Sequence, residues 1–125
     1  MPMNDNQPAT PGFDEKPVDM VRMLDLTGGE TSLLRELVDL YLVQTGQQLD
    51  QIAAAIHAHQ PEVVRREAHS SGGASATMGI NRLARLLVAL EAQGKSGTLT
   101  NALALCTEAR TELDRVHDFL AVELR

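Results

Sequence analysis

Leucine, isoleucine, valine and alanine recur three and four residues apart in four long segments of this chain, and the segments are separated by short breaks that contain proline or glycine. That spacing places the apolar side chains on one stripe of an α-helix. Such a stripe must be buried against another element, and helices joined by short loops bury their stripes in a shared core. The pattern therefore predicts an all-α fold, an up-and-down antiparallel four-helix bundle.

The breaks set the boundaries of the helices. Pro61 suits the first turn of the second helix, and Thr98 is a candidate cap for the fourth. The third helix is expected to close with the segment 94–97, which contains two glycines. The four predicted helices cover about 30–58, 61–78, 80–93 and 98–123.

The start of the chain differs in composition from the rest. Residues 1–17 are rich in proline and polar side chains and show no apolar period, so we predict a flexible leader followed by one domain, 18–125. Asp19 can cap a short helix that carries Met20 and Met23 and ends at Thr27-Gly28-Gly29. We expect this helix to lie as a lid across one end of the bundle.

Composition excludes several classes of function. Only 2% of the residues are aromatic and the formal net charge is −6, with no cluster of basic residues, which argues against binding to nucleic acid. The single Cys106 excludes an intramolecular disulfide and lies on an apolar stripe, as an inert core residue would. No apolar run approaches 18 residues and no signal sequence is apparent, so we expect a cytoplasmic monomer that does not bind membranes.

The segment 65–79 is unusual for a helix. Small residues share one face of it, whereas His69 points roughly 140° away from that face, into water. Two adjacent glycines follow the histidine, and each costs about 1 kcal/mol in a helix relative to alanine. This pattern indicates a surface kept flat around the imidazole. The outer face around His69 is predicted to carry Arg65, Arg66, Gly72, Gly73 and Ala76.

At these residues the chain resembles the histidine-containing phosphotransfer (HPt) domain of phosphorelays. The resemblance extends upstream to Leu24–Glu30 and the helix that follows, and it covers about Val18 to Leu124. One position departs from the family pattern, because Gly72 stands where the family has a lysine that helps to hold the phosphoryl oxygens. The matching positions are Ala68-His69, Gly73, Ala74-Ser75, Gly79, Leu83 and Leu90-Glu91.

The resemblance implies a phosphorelay intermediate. His69 would accept a phosphoryl group from an aspartate in the receiver domain of a hybrid sensor kinase and pass it to a response regulator. The partner receiver domain would supply Mg²⁺, and this chain would hold no cofactor or metal of its own. A neutral imidazole is a competent nucleophile, and the chain has no glycine loop for ATP, so we predict no kinase activity.

Two roles are compatible with the sequence for several residues. Arg65 and Arg66 are either contacts for a phosphoryl group or a receiver, or a solvated pair of arginines. Glu91 is either a partner of the imidazole or a surface charge. Ser71 and Ser75 fit buried small residues better than nucleophiles, because no acid or base stands at a recognisable spacing from them.

Two alternative functions also remain. A bundle of the same fold can act as a scaffold that binds a receiver or kinase without accepting phosphate, and the glycine at position 72 is the main support for this interpretation. A metal-binding bundle is disfavoured because paired Glu-x-x-His motifs are absent. His57 and His59 diverge by about 200° on a helix and cannot face one metal ion.

Overall fold

The computed structural model describes residues 15–125, and they form an all-helical bundle. Each long helix packs on its neighbours in the chain, and the last helix returns to pack on the first long helix, which closes the ring. This arrangement confirms the predicted bundle with a short helix before it. The helices are α1 Met20–Asp25, α2 Thr31–His57, α3 Pro61–Thr77, α4 Asn81–Ser96 and α5 Ala102–Glu123.

Two predicted helix boundaries are wrong. Helix α4 does not stop near residue 93 but continues to Ser96, because Gly94 stays helical and Gly97 ends the helix with a φ of 77°. Helix α5 begins at Ala102 rather than after a Thr98 cap. The Thr98 N–H donates to Ser96 Oγ within the connecting loop, so Thr98 belongs to that loop.

Helix α1 is the predicted lid. Asp19 caps it by accepting a hydrogen bond from the Arg22 N–H at 3.2 Å, and Met23 is completely buried. The Asp19 N–H donates to the carbonyl of Gly79 at 2.8 Å, which ties α1 to the turn between α3 and α4. Gly79 has a φ of 79°, and a Cβ there would lie 3.0 Å from the Asp19 carbonyl oxygen, so this turn favours glycine.

The predicted leader lies mostly outside the described residues, which begin at Glu15. Glu15 forms an ion pair with Arg85, and its carbonyl accepts a hydrogen bond from Arg115. Pro17 and Val18 are buried. The packed part of the chain therefore begins before the boundary predicted at residue 18.

A buried hydroxyl pair joins α2 to α3. The Tyr41 hydroxyl lies 2.6 Å from Ser75 Oγ, and Ser75 in turn donates to the carbonyl of Ser71 at 2.8 Å. Both serines are fully buried, as predicted from the sequence. The hydrogen bonds named above join them only to a tyrosine hydroxyl and to backbone, and to no acidic or basic side chain.

Helices α3 and α4 lie in close backbone contact at Gly94. A Cβ on Gly94 would lie 2.5 Å from the backbone nitrogen of Arg65 and 2.6 Å from the carbonyl oxygen of Pro61. Further along the same contact, Gly72 of α3 lies against Leu87 of α4, and a Cβ on Gly72 would lie 3.4 Å from Leu87 Cβ. We call the line of contact between these two helices the α3–α4 seam.

We predict that Gly94→Ala lowers the free energy of unfolding by about 1–3 kcal/mol, because the added methyl group forces the two backbones apart. Gly46→Ala is the matched control. Gly46 is also inside a helix, but a Cβ there meets its nearest atom at 3.9 Å, so alanine should stabilise the protein by up to about 1 kcal/mol. Urea unfolding followed by circular dichroism measures both, and equal effects of the two substitutions would contradict the close contact at Gly94.

The buried Tyr41 predicts a loss of stability in alkali. Burial raises the pKa of Tyr41 to about 12, whereas tyrosine in an unfolded chain titrates near 10. This pKa difference contributes about 2–3 kcal/mol to the free energy of unfolding. The contribution is fully present below pH 10 and is lost as the pH rises through 12. Tyr41 is the only tyrosine in the chain and tryptophan is absent, so the ultraviolet phenolate signal reports its titration directly. Tyr41→Phe should remove most of this pH dependence, and a midpoint near 10 in the folded protein would contradict it.

Candidate functional site

The structure places His69 on the outer face of α3, where 71% of its side chain is exposed. The opposite face of the helix is built from small and aliphatic side chains that pack into the bundle. This arrangement confirms the inner stripe predicted from the sequence and its separation from the histidine. The buried residues of that stripe are Val64, Ala68, Ser71, Ser75 and Met78.

A carboxylate orients the imidazole. His69 Nδ1 lies 2.9 Å from Oε2 of Glu91 on α4, and the Glu91 side chain is only 23% exposed. An ionised carboxylate accepts hydrogen bonds and donates none, so Nδ1 carries the proton in this contact. In the neutral ring the lone pair is then on Nε2, the other ring nitrogen. Of the two interpretations of Glu91 in the sequence, the structure supports the partner of the imidazole.

The two glycines after His69 occupy different environments. Gly73 is exposed, and a Cβ there would meet nothing within 4 Å. Gly72 is buried against α4, so its predicted place on the outer face is wrong. The projection from sequence alone put Gly72 beside the histidine but did not reveal on which side α4 lies.

The missing side chain at position 73 affects the imidazole. Side chains on a helix lean toward its N-terminus, so one at position 73 would lean back over His69, whereas one at position 72 would point toward Leu87 of α4. With glycine at position 73, no side chain there covers the ring. Ala76, one turn further on, is exposed and adds only a methyl group. The surface on the C-terminal side of His69 is therefore flat, as predicted.

Both arginines before His69 are paired with carboxylates. Arg65 donates from Nε to Glu62 at 2.9 Å and also binds it through Nη2, and Arg66 Nε lies 3.6 Å from Glu67. The hydrogen bonds to Glu62 are the main reason that the pKa of Arg65 is raised, with a smaller contribution from the charge of Glu91. The same contacts hold the pKa of Glu62 below its usual value.

An apolar groove extends the flat surface toward α2. It encloses about 270 Å³ between Leu37 and Leu40 on α2 and Gly73 and Thr77 on α3. The sequence did not predict this groove, because Leu37 repeats at helical spacing with the core residues of α2. In the structure Leu37 is 36% exposed and Leu40 is 55% exposed. A signal was present, since Leu33, Leu37 and Leu40 repeat at four and three residues and form a second stripe beside the first.

Three other features were considered from the sequence: a metal site, the single cysteine and a membrane-spanning helix. Within residues 15–125 no group of three His, Cys, Asp or Glu side chains is placed to hold a metal ion. Burial raises the pKa of the Cys106 thiol, and the residue packs in the core. None of the described helices has the length and apolar character needed to span a membrane.

Comparison with known proteins identifies the class. The sequence matches the family model of the Hpt domain over residues 36–119, more than half of the chain, so the chain belongs to the Hpt domain family. Its fold is similar to the crystal structure of histidine-containing phosphotransfer protein B (HptB) from Pseudomonas aeruginosa PAO1. That comparison has a TM-score of 0.81 at 25% identity and covers 93% of this chain and 96% of the other. No curated protein matches the sequence significantly.

Family membership confirms the resemblance seen in the sequence and gives the protein a phosphotransfer role in phosphorelays. For His69 and the residues around it, the informative geometry is the contact with Glu91 and the exposed surface at Gly73 and Ala76.

The contact with Glu91 predicts the tautomer of the neutral His69 ring. We expect Nδ1 to be protonated and Nε2 to be unprotonated, whereas a free neutral imidazole mixes both tautomers. Nitrogen-15 NMR of the ring nitrogens distinguishes them. In Glu91→Ala the ring should lose this preference, and in Glu91→Gln the amide oxygen can still accept the Nδ1 hydrogen bond. An Nε2-protonated ring in the wild-type protein would contradict the prediction.

Proposed function

We propose that this protein is a phosphorelay intermediate that carries a phosphoryl group on Nε2 of His69. The observation that supports the proposal best is the exposed imidazole whose Nδ1 is hydrogen-bonded to Glu91. That contact leaves Nε2 free to act as a nucleophile from a rigid helix. The donor would be an aspartyl phosphate in the receiver domain of a hybrid sensor kinase, and the acceptor the receiver of a response regulator.

The transfer step follows from the geometry. The Nε2 lone pair forms the new N–P bond as the O–P bond of the aspartyl phosphate breaks, and the aspartate leaves as a carboxylate. Phosphoryl transfer of this kind depends mainly on alignment and on neutralisation of charge, and it requires no base on this chain. The return step is the same exchange in reverse, with an aspartate of the second receiver as the nucleophile.

Glu91 has a second role in this mechanism. When Nε2 gains the phosphoryl group and Nδ1 keeps its proton, the ring becomes an imidazolium with a formal positive charge. The carboxylate of Glu91 lies 2.9 Å from Nδ1 and is mostly shielded from water, so it stabilises that charge. Glu91 is therefore a positioning residue that also favours the phosphorylated ring.

The flat surface around His69 suits a receiver domain. In-line transfer needs close approach of the partner's aspartate to Nε2, and Gly73 and Ala76 leave room for it. The groove bordered by Leu37 and Leu40 offers apolar area next to the reacting atom. We expect the receiver to bring the Mg²⁺ that neutralises the phosphoryl oxygens and to meet this protein in the cytoplasm.

We propose no kinase activity for this protein. The sequence contains no phosphate-binding glycine loop of the ATP-dependent kinds, so the phosphoryl group must come from another protein. This protein would act as a carrier between two receivers, and the direction of flow would depend on which partner is phosphorylated.

The test is transfer of radiolabelled phosphate from a phosphorylated receiver domain. We expect the wild-type protein to acquire an acid-labile, base-stable label, and His69→Gln to acquire none. Gly73→Leu should reduce the transfer rate at least about tenfold, because a leucine there leans over the imidazole and obstructs the approach of the partner. Gly73→Ala, with a much smaller side chain, is the matched control and should retain most of the transfer.

Circular dichroism must show that each variant is folded. Full transfer to a folded Gly73→Leu variant would contradict the role of the flat surface. If the folded wild-type protein binds receivers but takes no label from any of them, the phosphotransfer proposal is wrong and the scaffold interpretation replaces it.

A further inference from the structure

The α3–α4 seam brings Arg65, His69 and Glu91 to one side of the bundle. Arg65 and His69 are separated by one helical turn on α3, so they share a face of the helix. Opposite them on α4 stand Gly94, against the backbone of Arg65, and Glu91, hydrogen-bonded to His69. Because α4 is fixed at both points, the backbone of Arg65 is held at a defined distance from the imidazole.

Glu62 binds the guanidinium of Arg65 on the same face of α3 as His69, but closer to the N-terminus of the helix. Residues 62 and 69 are seven positions apart and differ by only about 20° around the helix. Arg65 reaches Glu62 through both Nε and Nη2. Side chains on a helix lean toward its N-terminus, so the imidazole of His69 leans toward the turn that carries Arg65.

The ion pair between Arg65 and Glu62 is easily exchanged. The Glu62 side chain is 69% exposed and that of Arg65 is 34% exposed, and ion pairs in such positions contribute little stability. A phosphoryl group on Nε2 carries about two negative charges and three acceptor oxygens, so it is a stronger partner for a guanidinium than one exposed carboxylate. The charge of Glu91, the partner of His69, also makes a small contribution to the raised pKa of Arg65.

Building on the proposed function of His69, we infer that Arg65 is a phosphoryl-binding residue that exchanges Glu62 for the phosphoryl group when His69 is phosphorylated. In the resting protein the guanidinium is paired with Glu62, two turns before His69 on the same face of α3. The bound guanidinium then neutralises part of the phosphoryl charge, a task for which position 72, a glycine, has no side chain.

Arg66 provides a matched comparison. It is also within one turn of His69, but its carboxylate partner is Glu67, whose side chain is 17% exposed and lies on a different side of the helix. The close backbone contact of Gly94 is with Pro61 and Arg65. We therefore assign the phosphoryl contact to Arg65 and not to Arg66.

Phosphorus NMR tests this assignment without any partner protein. Potassium phosphoramidate phosphorylates histidine directly, as Nε2 forms the N–P bond and ammonia leaves. The signal of His69 is the one that is absent from His69→Gln. A nearby cation favours the dianionic phosphoryl group, so the pH at which this group gains its proton should rise by about half a unit or more in Arg65→Ala. Arg65→Lys should restore part of the difference, and Arg66→Ala should change it by less than about 0.2 units.

The outcomes separate the two proposals. If the wild-type protein shows the His69 signal but its midpoint in Arg65→Ala stays within about 0.2 units, the assignment of Arg65 is wrong and the proposed function stands. An equal rise in Arg66→Ala would also overturn the assignment, because it would show a general effect of surface charge. Absence of the His69 signal from the wild-type protein would overturn the proposed function and the inference together. Thermal melting of each variant confirms that the fold is intact.

Discussion

The close approach of α3 and α4 is the constraint on which the site depends. It is possible because Gly94 has no Cβ where the backbone of Pro61 and Arg65 passes. Three residues further back along α4, Glu91 is thereby held at hydrogen-bond distance from His69. A wider spacing would leave the imidazole free to rotate, and Nε2 would lose its fixed direction.

The rest of the bundle holds α3 in place and contributes few reactive groups. Small side chains bury one face of α3, and the hydroxyl contact between Tyr41 and Ser75 joins that face to α2. The outer face carries the exposed imidazole of His69, and Gly73 and Ala76 near it have little or no side chain. In the proposed function the partner receiver brings the metal ion and the catalytic groups, and this protein contributes the position of the imidazole.

The charged side chains around His69 form pairs. Each nearby arginine has a carboxylate partner, and Glu91 faces the ring itself. Under the proposed function, Arg65 exchanges its exposed carboxylate partner for the phosphoryl group and supplies a positive charge that the glycine at position 72 cannot supply.

The sequence by itself determined the helical class, the approximate helix spans and the outward position of His69, since these follow from local periodicity and from breaks at proline and glycine. It left Glu91 with two interpretations, placed Gly72 on the wrong surface and ended α4 too early at Gly94. Only the tertiary structure decided these points, because each depends on where α4 lies against α3. Helical periodicity defines the angle of a side chain around its own axis, whereas contacts between helices depend on the distance and register of two axes, which no local pattern contains.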